Sequence, residues 1–236
     1  MSAGTLKDVM DRLYSIDANE RVKAANEIGE IGTEKEAPIV LKVAHEDETS
    51  TVRQMAIQSY FEILKEKAYE DILKAAKSHF DQYVRIYAIS ILGKLDQNQV
   101  SEPLLELMKD EDPKIRATVV KSMIHANTIQ NAKHLETFFE NETHMLTQCN
   151  IIEAWAIWNY KQAKGKINKL FENTDKMESQ IELKTISLFT LALFGDKKAL
   201  KELKEGNIDT YYRIKVDSKH FTGRKGLVKA LELLKN

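Results

Sequence analysis

Six histidines and one cysteine are the residues of this chain that most readily hold a metal or begin covalent chemistry. Two ligands on one helix reach the same ion only when they are three or four residues apart. The closest two histidines, His125 and His134, are nine residues apart. The other four are His45, His79, His144 and His220. The spacing therefore predicts no metal site, and no cofactor is expected.

Cys149, the single cysteine, lies where the surrounding helical pattern requires an apolar side chain. We therefore expect a buried, inert thiol instead of a nucleophile. One cysteine also excludes a disulfide within the chain and a multi-cysteine zinc site. The nearest glycine cluster, Gly29 with Gly32, ends a helix and does not open one after a strand, so no phosphate-binding fingerprint is present. These residues predict a protein that is not an enzyme.

The C-terminal segment 211–226 combines basic and aromatic side chains, a composition that suits an anion. Basic side chains contact phosphates, and aromatic rings stack on bases. The segment is therefore a candidate site for nucleic acid or another phosphate-bearing ligand, and a solvated cap at the end of the fold is the alternative. Its basic residues are Arg213, Lys215, Lys219, Arg224 and Lys225, its aromatic residues are Tyr211, Tyr212 and Phe221, and its one acid is Asp217.

The chain has 236 residues, of which 43% are hydrophobic, 35 are basic and 36 are acidic. This balance excludes a uniformly basic nucleic-acid coat, yet residues 1–150 carry a net charge of −7 and residues 151–236 one of +6. Such an asymmetry favours an oriented encounter with a charged partner. No run approaches the roughly 18 apolar residues of a membrane span, and Met1–Asp8 contains no apolar signal stretch. We expect a cytoplasmic protein without a membrane partner.

The elements that position these residues are predicted to be helices, because three prolines and nine glycines leave few helix breaks. Val84, Ala88, Ile89 and Leu92 share one helical stripe. A residue pair that opens such stripes recurs at intervals of 30, 32 and 31 residues, with two weaker matches further on. The pairs are Val22-Lys23, Val52-Arg53, Val84-Arg85 and Ile115-Arg116, then Cys149-Asn150 and Leu183-Lys184.

Each repeat is predicted to be a helical hairpin, with the six hairpins beginning near residues 19, 49, 81, 112, 146 and 179. The expected N-caps of the first four are Asn19, Thr49, Asp81 and Asp112. The expected glycine C-caps are Gly29, Gly32, Gly93 and Gly195. A lone hairpin cannot bury both of its faces, so the repeats must stack. We predict one all-α repeat domain over 1–236, with a capping helix at 5–16, repeats at 17–205, and an irregular basic cap at 206–236 that ends in the helix Gly226–Lys235.

The pattern from Asp81 through Val84-Arg85 to Ala88, closed by Leu92-Gly93, resembles HEAT repeats of the short variety named after phycobilisome lyases. The likeness covers roughly residues 17–205. It implies a right-handed α-solenoid whose second helices line a concave surface, and it implies protein binding far more often than chemistry. It also implies that Arg53, Arg85 and Arg116 bond to carboxylates or carbonyls of a neighbouring repeat, whereas their alternative role is a basic ladder for an anionic ligand.

Three enzymes with related repeats provide further hypotheses. Di-iron deoxyhypusine hydroxylase uses several His-Glu ligand pairs, and His45-Glu46 is the single such pair here, which excludes that assignment. Alkylpurine DNA glycosylases need aromatic side chains and a carboxylate facing DNA. Glu153, Trp155 and Trp158 match that need, but Trp158 shares its repeat position with core residues. A lyase or isomerase subunit for a linear tetrapyrrole remains an alternative by family analogy.

Two surfaces suit a protein partner. Trp155 and Phe189 each follow a repeat marker by six residues, so stacked repeats place them side by side, either as an exposed hot spot or as core. The second helices carry charges of both signs, which no continuous phosphate track would show: Glu70, Lys74, Lys77, Glu102, Glu106, Lys109 and Lys133. We predict a non-enzymatic protein-binding module, with nucleic acid as the less favoured partner and the oligomeric state open.

Overall fold

The computed structural model describes residues 5–171, 179–216 and 219–235. Asp217, the acid of the basic segment, lies outside these residues, as do the first four residues of the chain. The described residues are mainly α-helical, which confirms the predicted all-α class. The chain divides into two compact units, 1–126 and 127–236. The single domain over 1–236 stays a prediction, and each unit is described by itself.

The first unit is a succession of helical hairpins. Its capping helix is shorter than the predicted 5–16 and begins after the N-cap Thr5, whose side chain accepts a hydrogen bond from the Asp8 backbone. A short 3₁₀ turn, Lys65–Ala68, precedes the fifth helix. The helices are α1 (Leu6–Arg12), α2 (Ala18–Ile31), α3 (Ala37–Glu46), α4 (Ser50–Leu64), α5 (Tyr69–Ser78), α6 (Gln82–Leu92), α7 (Gln97–Leu107) and α8 (Pro113–His125).

The second unit continues with helices and then departs from the repeat. Its helices are α9 (His134–Asn141), α10 (Met145–Ile157), α11 (Lys164–Leu170), α12 (Ile181–Leu193), α13 (Lys197–Glu205) and α14 (Gly223–Lys235). Strands β1 (Arg213–Val216) and β2 (Lys219–Thr222) form an antiparallel hairpin before α14. The sequence predicted an irregular segment there. The final helix begins three residues earlier than expected, at Gly223.

The N-caps show where the predicted register holds and where it fails. Asp81 and Asp112 accept hydrogen bonds from the backbone of Tyr83 and Lys114, each at 2.8 Å, as expected of N-caps. Asn19 is wrong as an N-cap, because the Asp17 carboxylate accepts the Asn19 N–H at 2.8 Å and α2 begins at Ala18. The first hairpin therefore starts two residues earlier than predicted.

Two of the glycines serve close helix packing instead of a left-handed cap. A Cβ at Gly29 would lie 2.7 Å from the Ser59 Oγ, and one at Gly93 would lie 2.9 Å from the Ser122 Cα. The predicted left-handed geometry is wrong for Gly93, whose φ is −62°, but correct for Gly195, whose φ is 88°. The absent side chains let α2 approach α4 and let α6 approach α8.

Candidate functional site

Five junctions between successive hairpins, all within the described residues, are closed by the same type of hydrogen bond. We call a junction the turn that leads into the first helix of a hairpin. The side chain two residues before the N-cap accepts the backbone N–H of the N-cap residue, as in an Asx turn. The acceptor–donor pairs are Ser15–Asp17 at 3.1 Å, Asp47–Thr49 at 2.8 Å, His79–Asp81 at 3.0 Å, Asp110–Asp112 at 2.9 Å and Glu142–His144 at 2.8 Å.

An arginine lies four residues after the N-cap of each junction in the first unit. These arginines are Arg21, Arg53, Arg85 and Arg116. Arg21 and Arg53 donate to the carbonyls of Ser15 and Asp47, at 2.9 and 2.5 Å. The carboxylate of the next junction then accepts from each of the first three arginines: Asp47 from Arg21, Asp81 from Arg53 and Asp110 from Arg85. These contacts support the structural role and leave the ligand ladder without support.

The same position in the second unit holds other side chains. Gln148 donates to the Glu142 carbonyl at 2.7 Å and thus replaces the arginine-to-carbonyl bond. Lys184 follows four residues after the N-cap Gln180 and lies 3.6 Å from the Glu202 carboxylate. The fifth marker predicted from the sequence, Cys149-Asn150, is therefore displaced from the observed register by two residues. Cys149 is buried, as expected.

Arg53 and Asp81 form the most enclosed of these contacts, each being 8% exposed. Burial by itself raises the pKa of the Asp81 carboxyl, but hydrogen bonds from Ser50, Arg53 and the Tyr83 backbone outweigh it and hold the pKa below its usual value. Ser50 donates to the Asp81 Oδ2 at 2.5 Å. Asp81 is therefore a buried carboxylate that three donors keep ionised.

His79 occupies the acceptor position of this junction and is enclosed by other rings. It stacks on His45 at 5.1 Å and on Phe80 at 4.6 Å between ring centroids. The Arg53 guanidinium lies over the Phe80 ring at 4.9 Å. Although the Phe80 ring is 75% exposed, it is thus held in place from two sides. The arrangement presents a fixed aromatic ring to solvent.

Two shallow grooves flank the C-terminal end of α3. The larger, of about 340 Å³, is lined by His45, Lys74, Ala75, Ser78, His79 and Phe80. The smaller, of about 170 Å³, is lined by Leu13, Tyr14, Lys42, Val43, Glu46 and Asp47. Tyr14 is 69% exposed. We call this surface, which carries Tyr14, Lys42, His45, Lys74 and Phe80, the junction face.

The lysines predicted for protein binding are exposed, and one of them reaches the junction face. Lys74 lines the larger groove, and within the described ranges no carboxylate lies at ion-pair distance from its ammonium. Lys77, on the same helix, pairs with Glu106 at 2.7 Å. Lys109 follows α7 in the first unit, and Lys133 precedes α9 in the second. Their binding role stays a prediction.

Trp155 and Phe189 are not a surface hot spot, because both are 0% exposed. The Trp155 Nε1 donates to the Ala132 carbonyl at 2.9 Å, and its ring packs edge-on against Phe139. The alternative that both rings belong to the core is therefore the correct one.

In the observed register Trp155 is equivalent to Leu92 and Met123, which are buried as well, so the two-residue displacement of the fifth marker explains its misassignment. Phe189 is equivalent to exposed or half-exposed positions of the first unit and becomes core because α12 is buried on nearly every side.

The residues that suggested a DNA glycosylase are enclosed as well. Glu153, Trp155 and Trp158 are 5%, 0% and 6% exposed, whereas a base-excision cleft requires them to face DNA. Glu153 lies near Tyr212, and burial, followed by the charges of Glu153 and Cys149, raises the pKa of the Tyr212 hydroxyl well above its ordinary value. These polar groups belong to the interior of the second unit.

The basic C-terminal segment forms the β-hairpin and the start of α14. Ile214 and Val216 are buried, so Arg213 and Lys215 point outward on the other face of β1. In the strand register they lie opposite Thr222 and His220. Lys219 is in β2, and Arg224 and Lys225 lie in the first turn of α14, after Gly223 with its φ of 68°. Anion binding by these residues stays a prediction.

Over the described residues, no group of three or more histidine, cysteine, aspartate or glutamate side chains is placed to hold a metal ion. In the same part of the chain, every helix is too short or too polar to cross a membrane.

Sequence reasoning missed His79, Phe80 and Tyr14. Metal-ligand spacing is a rule for one helix, and it does not detect two histidines, His45 and His79, that meet between hairpins. The available signal was the polar residue two positions before each N-cap. The two-residue error in the first hairpin concealed this signal, because it aligned Lys23 instead of Arg21 with Arg53.

Comparison with known proteins supports the repeat assignment. Residues 69–156 match the family model described as HEAT repeats. No curated protein matches the chain. Among solved structures, the chain is similar to a chain in the complex of CpcE and CpcF of phycocyanin lyase from Nostoc sp. PCC7120, with 17% identity, a TM-score of 0.49, and coverage of 63% of this chain and 96% of that chain. A likeness of that size carries no inference about activity. The matched segment contains the junctions at Asp81 and Asp112 and is similar to HEAT repeats.

Proposed function

We propose that the chain is a non-enzymatic protein-binding module whose first unit binds a partner protein through the junction face. The observation that carries this proposal is the Phe80 ring, which is 75% exposed and yet fixed by His79 and Arg53. An exposed ring that is already ordered loses little conformational entropy when a partner covers it. Aromatic anchors of this kind dominate the energetics of protein interfaces.

The surroundings of Phe80 have the composition of an interface. The larger groove gives a partner side chain space beside the ring, and Ala75 and His79 line it. The rim is polar and mixed in charge, with Lys74 on α5 and with Lys42 and Glu46 on α3. An apolar centre with a polar rim is typical of non-obligate protein contacts. The exposed lysines Lys77, Lys109 and Lys133 are the further candidates for contact with an acidic partner surface.

Site-specific cross-linking tests this proposal. A photoreactive phenylalanine analogue replaces Phe80 in one sample and Tyr211 in the other, since Tyr211 is 87% exposed but belongs to the second unit. We expect a protein cross-linked from position 80 and absent from position 211. Cross-links from position 211 alone would contradict the junction face and would favour the basic segment.

A second candidate function is anion binding by the β-hairpin. The supporting observation is that Arg213 and Lys215 share one exposed face with His220. The test is a salt titration of binding to a generic oligonucleotide, comparing the double variant Arg213→Gln, Lys215→Gln with Lys201→Gln on α13. Phosphate contacts give a steep log–log slope, which the double variant reduces by about two and Lys201→Gln leaves unchanged. A flat wild-type response would remove this candidate.

A further inference from the structure

We propose that His79 is an acid-sensitive switch of the junction face: protonation of its ring opens the turn 79–81 and releases Phe80 from its fixed position. This inference rests on the proposed function, because it concerns control of the same surface. It is carried by the hydrogen bonds on the two ring nitrogens and by a comparison of the junctions along the chain.

The hydrogen bonds define a neutral ring in a single tautomer. The Asp81 backbone N–H donates to the His79 Nδ1 at 3.0 Å, so Nδ1 carries a lone pair and no proton. The proton is therefore on Nε2, which lies 3.1 Å from the Ala44 carbonyl and donates to it. A second proton would have to enter on Nδ1, where it would face the Asp81 N–H. Protonation and this hydrogen bond exclude each other.

His79 differs from the equivalent residues at the other junctions. Of the five junctions whose residues the structure describes, the others use the oxygen of Ser15, Asp47, Asp110 or Glu142 as the acceptor. Imidazole is the one of these acceptor types whose unperturbed pKa lies between pH 5 and 8. The third junction alone among these five has an acceptor that is lost within the range where histidine titrates. Acid should therefore open one junction selectively.

Some of the groups that face His79 lower the pKa of its ring, and others raise it. Burial lowers the pKa of His79, the charge of His45 on α3 lowers it further, and Arg53 on α4 also acts to lower it. The Ala44 carbonyl and the Asp81 carboxylate act to raise it, and the net pKa lies below the ordinary 6.5. Lys74 on α5 adds a further positive charge at the same groove. The switch is thus expected below pH 6.5.

The turn that opens is the one that carries Phe80. Phe80 lies between the two partners of the hydrogen bond, His79 and Asp81. Asp81 is the N-cap of α6 and also the acceptor of Ser50 and Arg53. Loss of the His79 bond frees the backbone of Asp81, and the Phe80 ring then loses the geometry of its contacts with His79 and Arg53. A partner held by that ring would dissociate at acidic pH.

Amide hydrogen exchange on the whole chain tests the switch without any partner. The protection factor of the Asp81 amide is compared between pH 7.5 and pH 5.0, with the amides of Thr49 and Asp112 as internal controls because their acceptors are carboxylates. The imidazole signals of His79 are followed by NMR in parallel. We expect Asp81 protection to fall about tenfold at pH 5.0, the factor that one ordinary hydrogen bond represents, while the controls stay constant.

The variant His79→Asp supplies the acceptor of the neighbouring junctions and should make Asp81 protection independent of pH. Two results would overturn the switch: Asp81 protection that persists while the ring protonates, or a ring that remains neutral at pH 5.0. Neither result bears on whether Phe80 binds a partner at pH 7.5, so the switch and the proposed function fail independently.

Discussion

Arg53 of one hairpin and Asp81 of the next form a buried ion pair, with the Arg53 Nη2 and the Asp81 Oδ2 2.5 Å apart. The pair spans two consecutive repeats, and Asp81 is also the N-cap of α6. One carboxylate thus begins a helix, holds the preceding repeat through Arg53, and adjoins the His79 bond that positions Phe80. The stacking of repeats and the presentation of the proposed binding surface depend on the same side chain.

Arg53→Ala should destabilise the first unit by about 3 kcal/mol, because it leaves Asp81 buried without its cation. Urea unfolding followed by far-UV circular dichroism measures this loss. Lys77→Ala is the matched control, since its pair with Glu106 is exposed and contributes far less. Equal effects of the two variants would show that the buried pair has no special role.

Gly93→Ala should destabilise by about 1–3 kcal/mol, because the added Cβ would lie 2.9 Å from the Ser122 Cα on the facing helix. Gly165→Ala is expected to have the opposite sign. Gly165 lies inside α11 with nothing within 4 Å of an added Cβ, and alanine favours a helix over glycine by up to about 1 kcal/mol. Thermal unfolding of both variants decides this; a neutral Gly93→Ala would contradict the proposed close packing.

Trp155→Ala should destabilise the second unit by about 3–5 kcal/mol, because a fully buried ring and its hydrogen bond to Ala132 are both lost. The chain has two tryptophans, Trp155 and Trp158, and both belong to this unit. The fluorescence of Trp158 in the variant therefore reports the unfolding of the second unit directly. If the variant were as stable as the wild type, this result would contradict the burial of Trp155 and would favour the hypothesis that its ring is an exposed hot spot.

The stability of the first unit should decrease in mild acid. Because the pKa of His79 is lowered in the folded state, the unfolded chain binds a proton more readily than the folded chain. The contribution of His79 is therefore complete above about pH 6.5 and is lost as the pH falls toward the lowered value. Urea unfolding at pH 7.5, 6.5 and 5.5 should show this slope in the wild type and a smaller one in His79→Asp. Parallel slopes would assign the acid sensitivity to other groups.

The helical repeat could be predicted from the sequence, whereas the first residue of some hairpins and the exposure of several side chains could not. Asp81 and Asp112 act as the expected caps because capping is a local interaction between residues two apart. The failure at Asn19 arose because Asp17, two residues earlier, is an equally good cap by residue type. The bonds of Arg21 to the Ser15 carbonyl and to Asp47 in the next junction identify the register that starts at Asp17.

The burial of Phe189 and the exposure of Phe80 were unpredictable for a related reason. Exposure depends on how many sides of a helix are covered, and α12 is covered on nearly all of them. Phe80 lies in a turn outside any apolar stripe, where periodicity has no meaning. Its position depends on His79 in the same turn and on Arg53 in α4, which is distant in the sequence. The periodicity of apolar residues therefore predicted the core of each hairpin but did not predict the exposed ring of Phe80 in the turn between hairpins.

Binding of the cross-linked partner by the purified chain at pH 7.5 tests the central claim most directly. Isothermal titration calorimetry compares the wild type with Phe80→Ala and with Tyr211→Ala, two variants that each remove one exposed ring. We predict that Phe80→Ala weakens binding at least tenfold, as expected for an interface anchor worth more than about 1.4 kcal/mol, and that Tyr211→Ala leaves the affinity unchanged. Unchanged affinity in Phe80→Ala, or a loss confined to Tyr211→Ala, would contradict binding through the junction face.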